Sequence, residues 1–270
     1  MITDRYKHII IFQFGAGGTG SWLVPSMCKF IGNMLRRFND DEFKFDYYLI
    51  DDDVVESRNT IRQNFEAYDV GRKKISALAR RFQPMCPSLI PVDFRPDTPT
   101  KFKKLFTGQI EPSVYIRSTS IVYVFGCVDD NKPRRQIFSY LKNKPFVTGI
   151  GKAPAVYFDS GNNLHNGQIV TSVFNPRTEH MFPELHPETE FDTFKNEKRF
   201  KNPKFFKMFP LAPDEDDDGQ SCAFFGDQSQ TINTLAASLL FANFQKTIIN
   251  DLIPPPVIEF NSSGMSTFEL

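Results

Sequence analysis

The chain has 270 residues, which is enough for one sizeable α/β domain whose core needs neither disulfides nor a structural metal. Lysine plus arginine and aspartate plus glutamate both number 32, so the formal net charge is zero and no global positive field favours polyanions. We therefore expect neither nucleic acid nor a membrane as a partner. Hydrophobic residues make up 40% and phenylalanine occurs 29 times, which predicts an ordered chain with an aromatic core.

The sequence indicates a cytoplasmic protein without structural zinc. Its apolar stretches are too short to cross a bilayer, and no basic region followed by a signal-type apolar run opens it. The cysteines form no C-x-x-C pair, which disfavours a disulfide framework and a cysteine-rich zinc site, and the four histidines show no metal-ligand spacing. The cysteines are Cys28, Cys86, Cys127 and Cys222.

The first half of the chain alternates between strand-like and helix-like segments. This alternation predicts right-handed crossovers and a Rossmann-like α/β fold, with a mostly parallel sheet and helices on both faces. Ligands of such sheets bind at the carboxyl ends of the strands. The expected strands are His8–Phe14, Tyr47–Ile50, Leu89–Phe94, Ile121–Cys127 and Phe146–Gly149, and the expected helices are Ser21–Arg37, Lys73–Phe82 and Lys132–Leu141.

The second half predicts an antiparallel extension of this sheet. Ala155–Phe158 and Gln168–Phe174 flank the turn-rich Ser160–Asn163 and suggest a hairpin. Residues 176–220 lose periodicity, contain recurrent prolines and an acidic run, and predict a loop-rich crossover insert. Thr231–Asn250 predicts a long helix and 257–260 a last strand. We expect a single domain over residues 1–270.

The segment from Gly15 to Gly20 reads GAGGTG and lies between the first strand and the first helix. Glycines in this context let backbone N–H groups approach a phosphate at the helix N-terminus. Gly15, Gly17, Gly18 and Gly20 are therefore candidate nucleotide-binding residues. Asp51 ends the second strand, but it lies farther along the chain than the roughly 20 residues typical of a dehydrogenase. This spacing and the missing nicotinamide-side fingerprint disfavour an NAD-dependent oxidoreductase.

Four blocks in order resemble the ThiF/MoeB and ubiquitin-activating-enzyme superfamily. Its pattern is a glycine-rich loop, then D-x-D-x-V-x-x-S-N-L-x-R-Q, G-x-x-K and D-N-x-x-x-R. Compact bacterial ThiF-family proteins, of the PRTRC or ubiquitin-like conjugation type, are nearest in size. A later block, 221–233, looks like the segment that follows the family's crossover loop. The four blocks are Gly15–Gly20, Asp51–Gln63, Gly71–Lys74 and Asp130–Arg135.

The resemblance implies ATP- and Mg²⁺-dependent adenylation of a carboxylate, usually the C-terminal glycine of a ubiquitin-like protein, by a homodimer. The carboxylate is already anionic near neutral pH, so catalysis needs positioning and charge neutralisation rather than a general base. Asp51 would hold the ribose, Lys74 would neutralise the phosphates, and Asp130 would carry magnesium. The residues expected to border the phosphates are Asn59, Arg62 and Gln63, with Asp53, Asn131 and Arg135 as further candidates.

Several alternatives stay open at this point. Cys222 is either an acceptor for a thioester or a small structural residue, and a conjugating enzyme is a possible partner. The family's N-terminal R-Y-x-R-Q segment is represented only by Arg5 and Tyr6, which leaves an arginine acting across the dimer undecided. Taken singly, Arg62 and Lys74 could be solvated cations. The substrate could also be another carboxylate, such as a peptide or a modified tRNA base, or the chain could be a non-catalytic ATP-binding scaffold.

Overall fold

A computed structural model of the chain describes most of the predicted core. It describes residues 6–38, 44–117, 119–129, 131–143, 147–148, 151–162, 165–174, 229–250, 252, 254–255, 257–261 and 264–268. The predicted insert at 176–220, the ion ligand Asp130 and the thiol of Cys222 lie outside these residues. The helices are α1 Gly18–Arg37, α2 Asn59–Arg62, α3 Lys74–Phe82, α4 Pro99–Phe106, α5 Asn131–Asn143 and α6 Gln230–Asn250. The strands are β1 His8–Phe14, β2 Lys44–Ile50, β3 Leu89–Val92, β4 Ser120–Gly126, β5 Val147–Thr148, β6 Gly151–Lys152, β7 Ala155–Asn162, β8 Asn166–Phe174, β9 Val257–Asn261 and β10 Gly264–Phe268.

Eight strands of the described residues form one sheet in the order β10-β9-β8-β7-β4-β1-β2-β3. The strands from β3 to β7 in this order run parallel, and β8, β9 and β10 continue the sheet antiparallel. Every residue of the central strand β4 is buried, because helices cover both faces of the sheet. The predicted mostly parallel sheet with an antiparallel extension is confirmed.

The core consists of two apolar layers, one on each face of the sheet. Side chains of α1, α3 and α6 pack on one face, and side chains of α4 and α5 pack on the other. Successive residues of a strand point to opposite faces, so Ile9 and Ile11 enter the first layer while Ile10 and Phe12 enter the second. The Phe12 ring lies 4.8 Å from that of Phe106 in an edge-on contact. The predicted aromatic core is present in both layers.

Two features of the sheet differ from the sequence-based expectation. Of the predicted strand Phe146–Gly149, the described residues Val147 and Thr148 pair antiparallel with β6 and do not join the large sheet. The place beside β4 belongs instead to β7, with Asp159 opposite Gly126. The predicted hairpin of β7 and β8 is confirmed, but β7 continues to Asn162, so its turn begins later than expected.

Helix α4 was not predicted, although local signals for it exist. Thr98 caps the helix, since its Oγ1 accepts a hydrogen bond from the Lys101 N–H at 3.3 Å, and Pro99 occupies the first position. Phe102 and Phe106 of α4 are buried against the sheet. Strand β10 at the opposite edge was also missed. No helix in the described part of the chain is both long and apolar enough to cross a bilayer.

Candidate nucleotide-binding site

The loop between β1 and α1 lies at the carboxyl edge of the parallel strands. Gly15 has a φ of +95°, and its N–H donates to the carbonyl of Ile50 at 2.9 Å. A Cβ on Gly15 would lie 2.5 Å from the Cys127 carbonyl oxygen, and a Cβ on Gly20 would lie 2.1 Å from the Gly15 carbonyl oxygen. Backbone packing therefore requires glycine at both ends of the loop.

The middle of the loop has room for a ligand. Gly17 is the N-cap of α1, and no side chain in the described residues caps this helix. A Cβ on Gly17 would meet nothing nearer than Gln63 Nε2, at 3.9 Å. Because the first N–H groups of a helix carry partial positive charge, this terminus offers its amides to an anion such as a phosphate.

Gln13, near the end of β1, binds both ends of the glycine-rich loop, and the sequence analysis did not predict this role. Its Nε2 donates to the carbonyl oxygens of Gly15 and Gly20, each at 3.0 Å, and its Oε1 accepts from the Tyr47 hydroxyl at 2.5 Å. Gln13 is fully buried in the strand HIIIFQF, where it follows four apolar residues. A lone amide in such a run, two residues before the first glycine, is the signal that points to this role.

Asp51 follows β2 directly and touches the glycine-rich loop. Its Oδ2 accepts from the Ala16 N–H at 2.7 Å, and its Oδ1 accepts from the Asp53 N–H at 2.8 Å. Burial raises the pKa of the Asp51 carboxyl above its ordinary value, against the opposing effect of Lys74 and of these amides. The structure thus brings the predicted ribose ligand to the predicted phosphate loop.

Lys74 begins α3 and is buried rather than solvated, with 7% of its surface exposed. Its Nζ donates to Asp53 Oδ2 at 2.8 Å, and Arg95 donates to the other oxygen of that carboxylate at 3.0 Å. Burial alone would raise the pKa of Asp53, but the hydrogen bonds and charges of Lys74 and Arg95 lower it overall. The alternative of a free surface cation at Lys74 is therefore wrong.

Arg95 follows β3 and was not predicted to lie at the site. Its Nε pairs with Asp52 Oδ1 at 2.8 Å, so it spans two successive carboxylates. Oxygens of Asp51, Asp52 and Asp53 lie within 4.8 Å of one another and are the hard ligands that a divalent cation prefers. Lys74 and Arg95 already balance two of these three charges.

The segment from Asn59 to Gln63 packs beside the loop. Asn59 is buried, and its Oδ1 accepts from the Glu56 N–H at 2.8 Å. Gln63 is also buried, and its Oε1 has no hydrogen-bond partner among the described residues. Arg62 is half-buried, and its carbonyl accepts from Trp22 Nε1 at 3.2 Å. This segment therefore places the buried amide of Gln63 beside the loop.

A proline in α1 explains how this segment is attached. Pro25 has no N–H, so the Ser21 carbonyl, four residues earlier, loses its helical donor. Asn64 Nδ2 donates to that carbonyl oxygen at 3.2 Å, and the Asn64 N–H donates to Ser21 Oγ at 3.0 Å. Residues 62–64 are thereby fixed to the first turns of α1.

The turn between β4 and α5 borders the loop on its other side. Asn131 begins α5, but nothing is described of its side chain, and Asp130 is outside the described residues. Arg135 is exposed, whereas its neighbour Arg134 is buried. Arg134 lies on the same face of α5 as the buried Ile137, a spacing that the sequence already contains.

The three cysteines that the structure describes are buried. Cys28 and Cys86 are fully enclosed in the α1 layer, and Cys127 is 7% exposed at the end of β4. Burial and the nearby Asp159 raise the pKa of the Cys127 thiol well above its ordinary value, which disfavours the reactive thiolate. None of these three described thiols is placed to receive an acyl group from solution.

A scan against protein-family models found no match, and no curated protein matches the chain. Among solved structures, Escherichia coli MccB with ATP superposes at a TM-score of 0.56 and 15% identity, covering 99% of this chain and 65% of MccB. MccB with AMPCPP and MccA gives 0.57 at 14% identity, with the same coverages of 99% and 65%. PaaA gives 0.55 at 17% identity, covering 99% of this chain and 66% of PaaA.

The chain has the MccB fold. MccB is a ThiF/MoeB-family adenylyltransferase, and the likeness confirms the Rossmann-like α/β fold that the alternation of strands and helices predicts for this chain. The chain spans about two thirds of the length of MccB and PaaA, 65% and 66% respectively. At 14% to 17% identity the likeness concerns the fold, and the roles of individual residues are argued from their own contacts.

Proposed function

We propose that this protein uses ATP to adenylate a C-terminal carboxylate, that of a ubiquitin-like protein, and releases pyrophosphate. One arrangement carries the proposal: the N-terminus of α1, which no side chain of the described residues caps, lies beside the Asp51 carboxylate, which accepts a hydrogen bond from the Ala16 amide within the same loop. A helix N-terminus suits phosphates, and a carboxylate at the end of the adjacent strand suits ribose hydroxyls. MccB, which shares the fold, has been crystallised with ATP.

The reaction needs charge control more than proton transfer. An oxygen of the substrate carboxylate attacks the α-phosphorus, and the bond from that phosphorus to the departing pyrophosphate breaks. Two anions must be held together while negative charge grows on the leaving group, which positioned cations and amides stabilise. We assign this neutralisation to Arg62, Lys74 and the amides of Gly17 and Gly18. Asn59 and Gln63 would border the phosphates, and Asp51 would hold the ribose.

Lys74 would have to change partner for this role. It now pairs with Asp53, whose side chain is 47% exposed and also contacts Arg95. Because Arg95 would still balance Asp53, Lys74 can turn to a phosphate without leaving a carboxylate unpaired. The Asp53 side chain is half-exposed, so water and Arg95 can compensate it, and a phosphate would replace it as the partner of the buried Lys74 ammonium.

The proposed enzyme would use magnesium, which supplies positive charge at phosphate oxygens. The Asp51–Asp53 carboxylates have suitable oxygens, but Arg95 and Lys74 already neutralise Asp52 and Asp53. We therefore retain Asp130 as the proposed ligand. Asn131 and Arg135 remain proposed neighbours of the nucleotide.

A short peptide is the second candidate substrate. MccB has been crystallised with the peptide MccA together with AMPCPP, which supports a peptide as the substrate of a protein with this fold. A ubiquitin-like protein and a short peptide both present a flexible C-terminal carboxylate. They differ in whether a folded body must dock as well.

The later steps and the assembly are also part of the proposal. Cys222 would receive the acyl group if a thioester forms, since the described cysteines are buried. A homodimer would use the α2 region, where several apolar side chains are exposed. A conjugating enzyme would act after thioester formation. The exposed apolar side chains of the α2 region, through which the homodimer would form, are Val54, Ile61, Tyr68 and Val70.

ATP–pyrophosphate exchange tests the proposal. The purified full chain with Mg²⁺ is mixed with ubiquitin-like proteins ending in glycine, or with short peptides, and the matched control carries a C-terminal carboxamide that cannot attack phosphorus. We expect exchange that requires the free carboxylate. Exchange with peptides alone would select the second candidate. ATP binding without exchange for any carboxylate would favour a scaffold, and no ATP binding at all would overturn the proposal.

A further inference from the structure

Arg134 makes a set of buried contacts that the proposed chemistry does not use. Its Nε donates to the Val128 carbonyl oxygen at 3.0 Å, and a terminal nitrogen donates to the same oxygen at 2.5 Å and to the Ser160 carbonyl oxygen at 2.6 Å. Val128 lies in the turn after β4, and Ser160 lies in β7. One guanidinium therefore ties this turn to the neighbouring strand.

Asp159 holds the guanidinium in place. Its carboxylate is fully buried, with Oδ1 at 3.7 Å from Arg134 Nε and at 2.9 Å from the Tyr157 hydroxyl, which donates to it. A Cβ on Gly126 would lie 2.1 Å from that same oxygen, so the last residue of β4 must be glycine to admit the carboxylate. The backbone at Gly126 therefore leaves the space that the Asp159 carboxylate occupies.

The turn that Arg134 fixes also supports the glycine-rich loop. The Cys127 N–H donates to the Phe14 carbonyl at 2.8 Å, and the Cys127 carbonyl oxygen occupies the space where a Cβ of Gly15 would be. Residues 126–128 thus form the wall against which Gly15 packs. A change in their position would move the loop on which the nucleotide phosphates are proposed to rest.

We propose that Arg134, anchored by Asp159, is a positioning residue that holds the β4–α5 turn against β7 and so fixes the glycine-rich loop for nucleotide binding. This inference rests on the proposed function for its nucleotide. Arg134 itself touches no substrate atom. Its guanidinium suits the task because a planar fork can bind two carbonyl oxygens at once, which an ammonium cannot do equally well.

The test compares Arg134→Met and Arg134→Lys with Leu141→Ala in the full chain. Leu141 lies on the same buried face of α5 but has no part in the site, so its truncation reports loss of packing alone. We expect Arg134→Met to raise the KM for ATP roughly 10- to 100-fold with a smaller change in kcat. Arg134→Lys should fall between it and the unmodified chain, and Leu141→Ala should leave KM near its original value.

Amide hydrogen exchange supplies a readout independent of activity. Exchange at the Cys127 amide should accelerate at least tenfold in Arg134→Met relative to Leu141→Ala, while the Tyr47 amide, bonded to the Ser88 carbonyl, should exchange alike in both. If Arg134→Met does not fold, Asp159→Asn, which keeps a partner for Tyr157, is measured in its place.

Equal effects of Arg134→Met and Leu141→Ala on KM and on the Cys127 amide would overturn the inference. So would a KM for ATP that stays within twofold of the original in every Arg134 variant. Failure of the unmodified chain to bind ATP would overturn the proposed function and the nucleotide part of this inference. The Cys127 exchange would then decide by itself whether Arg134 holds the turn.

Discussion

Charged side chains form two regions on the carboxyl edge of the sheet, and their exposure differs sharply. Beside β2, the Arg95 and Asp53 side chains are 61% and 47% exposed, although Lys74, which also pairs with Asp53, is only 9% exposed. Beside β4 and β7, the Arg134 and Asp159 side chains are 8% and 0% exposed. Exposed pairs contribute about 0–1 kcal/mol each, whereas removing one partner of a buried pair costs about 3–5 kcal/mol.

This difference in exposure separates cations that can exchange a carboxylate partner for a ligand from charged groups that fix the positions of the strands and turns. In the β2 region, cations can move from carboxylates to phosphates because water compensates the groups they leave. In the β4–β7 region the same exchange would strand a buried carboxylate whose Oδ2 already lacks a partner among the described residues. We therefore expect substitutions beside β2 to affect chemistry, and those beside β4 and β7 to affect geometry and stability.

The largest expected effect is that of Lys74→Ala on adenylate formation. Loss of the cation should reduce the rate by about 100- to 1,000-fold, as loss of a positioned charge-stabilising donor does in other enzymes. Stability should fall by about 0.5–3 kcal/mol, because the buried Lys74 side chain loses its packing while Arg95 still balances Asp53. Single-turnover formation of the adenylate and thermal unfolding measure the two effects.

Lys73→Ala is the matched control for Lys74→Ala. Lys73 is the adjacent lysine, and its Nζ binds the Asp52 carbonyl at 2.6 Å and the Asp93 carboxylate at 3.1 Å. We expect this variant to keep most of its activity. Similar losses in both variants would show that the segment, rather than the charge of Lys74, is what matters.

Gly15 lies between the two regions, and we expect its substitution to lower stability, as substitutions beside β4 and β7 do. Gly15→Ala combines a positive φ with a clash against the Cys127 carbonyl and should cost about 3 kcal/mol of unfolding free energy. Gly17→Ala, where a Cβ would make only an ordinary contact with Gln63, should cost less than about 1 kcal/mol but weaken ATP binding. Urea denaturation and calorimetry distinguish the two, and the reverse ranking would contradict this division of the loop.

The pH dependence of stability should have opposite signs in the two regions. Burial raises the pKa of Asp159 to about 6 from an ordinary 3.8, despite the opposing charge of Arg134. The native state therefore holds this proton more tightly. The resulting stability is present below about pH 4 and is lost as the pH rises through about 6. The shift corresponds to roughly 3 kcal/mol, which Asp159→Asn should remove from the pH profile of unfolding.

Asp53→Asn provides the comparison for this profile. The pKa of the Asp53 carboxyl is lowered in the native state. Its contribution to the free energy of unfolding is therefore present above its ordinary pKa and is lost as the pH falls through the lowered value. Unfolding free energies measured across the acid range should therefore diverge in opposite directions for the two variants. Slopes of the same sign would show that burial does not separate the two regions.

The residues that the sequence placed correctly carry local signals. The strand, glycine-rich loop and helix at 8–37, and the acidic segment after β2, each have a composition that follows from their own backbone geometry. The meeting of Asp51 with the loop could also be expected, since parallel strands end at the same edge. Helix α4 escaped because eight residues with three lysines give little periodicity, despite the cap at Thr98.

The site residues that were not predicted from the sequence make contacts with residues distant in the chain. Arg95 reaches Asp53 across 42 residues, and Arg134 reaches Ser160 across 26. The prediction that the strand at Phe146–Gly149 joins the large sheet was wrong for a different reason, because an apolar run does not reveal whether it pairs with that sheet or with a nearby segment such as Gly151–Lys152. Neither spacing nor propensity contains that information.

Pro25 has a consequence for how the protein assembles. A helix that lacks one of its own hydrogen bonds is less stable alone, and here Asn64 supplies the replacement from outside the helix. The first turns of α1 and the segment at 59–64 should therefore order and disorder together, as one cooperative unit. The glycine-rich block and the block at 51–63 would then be ordered together or not at all, so that a partly unfolded chain presents neither half of a nucleotide site.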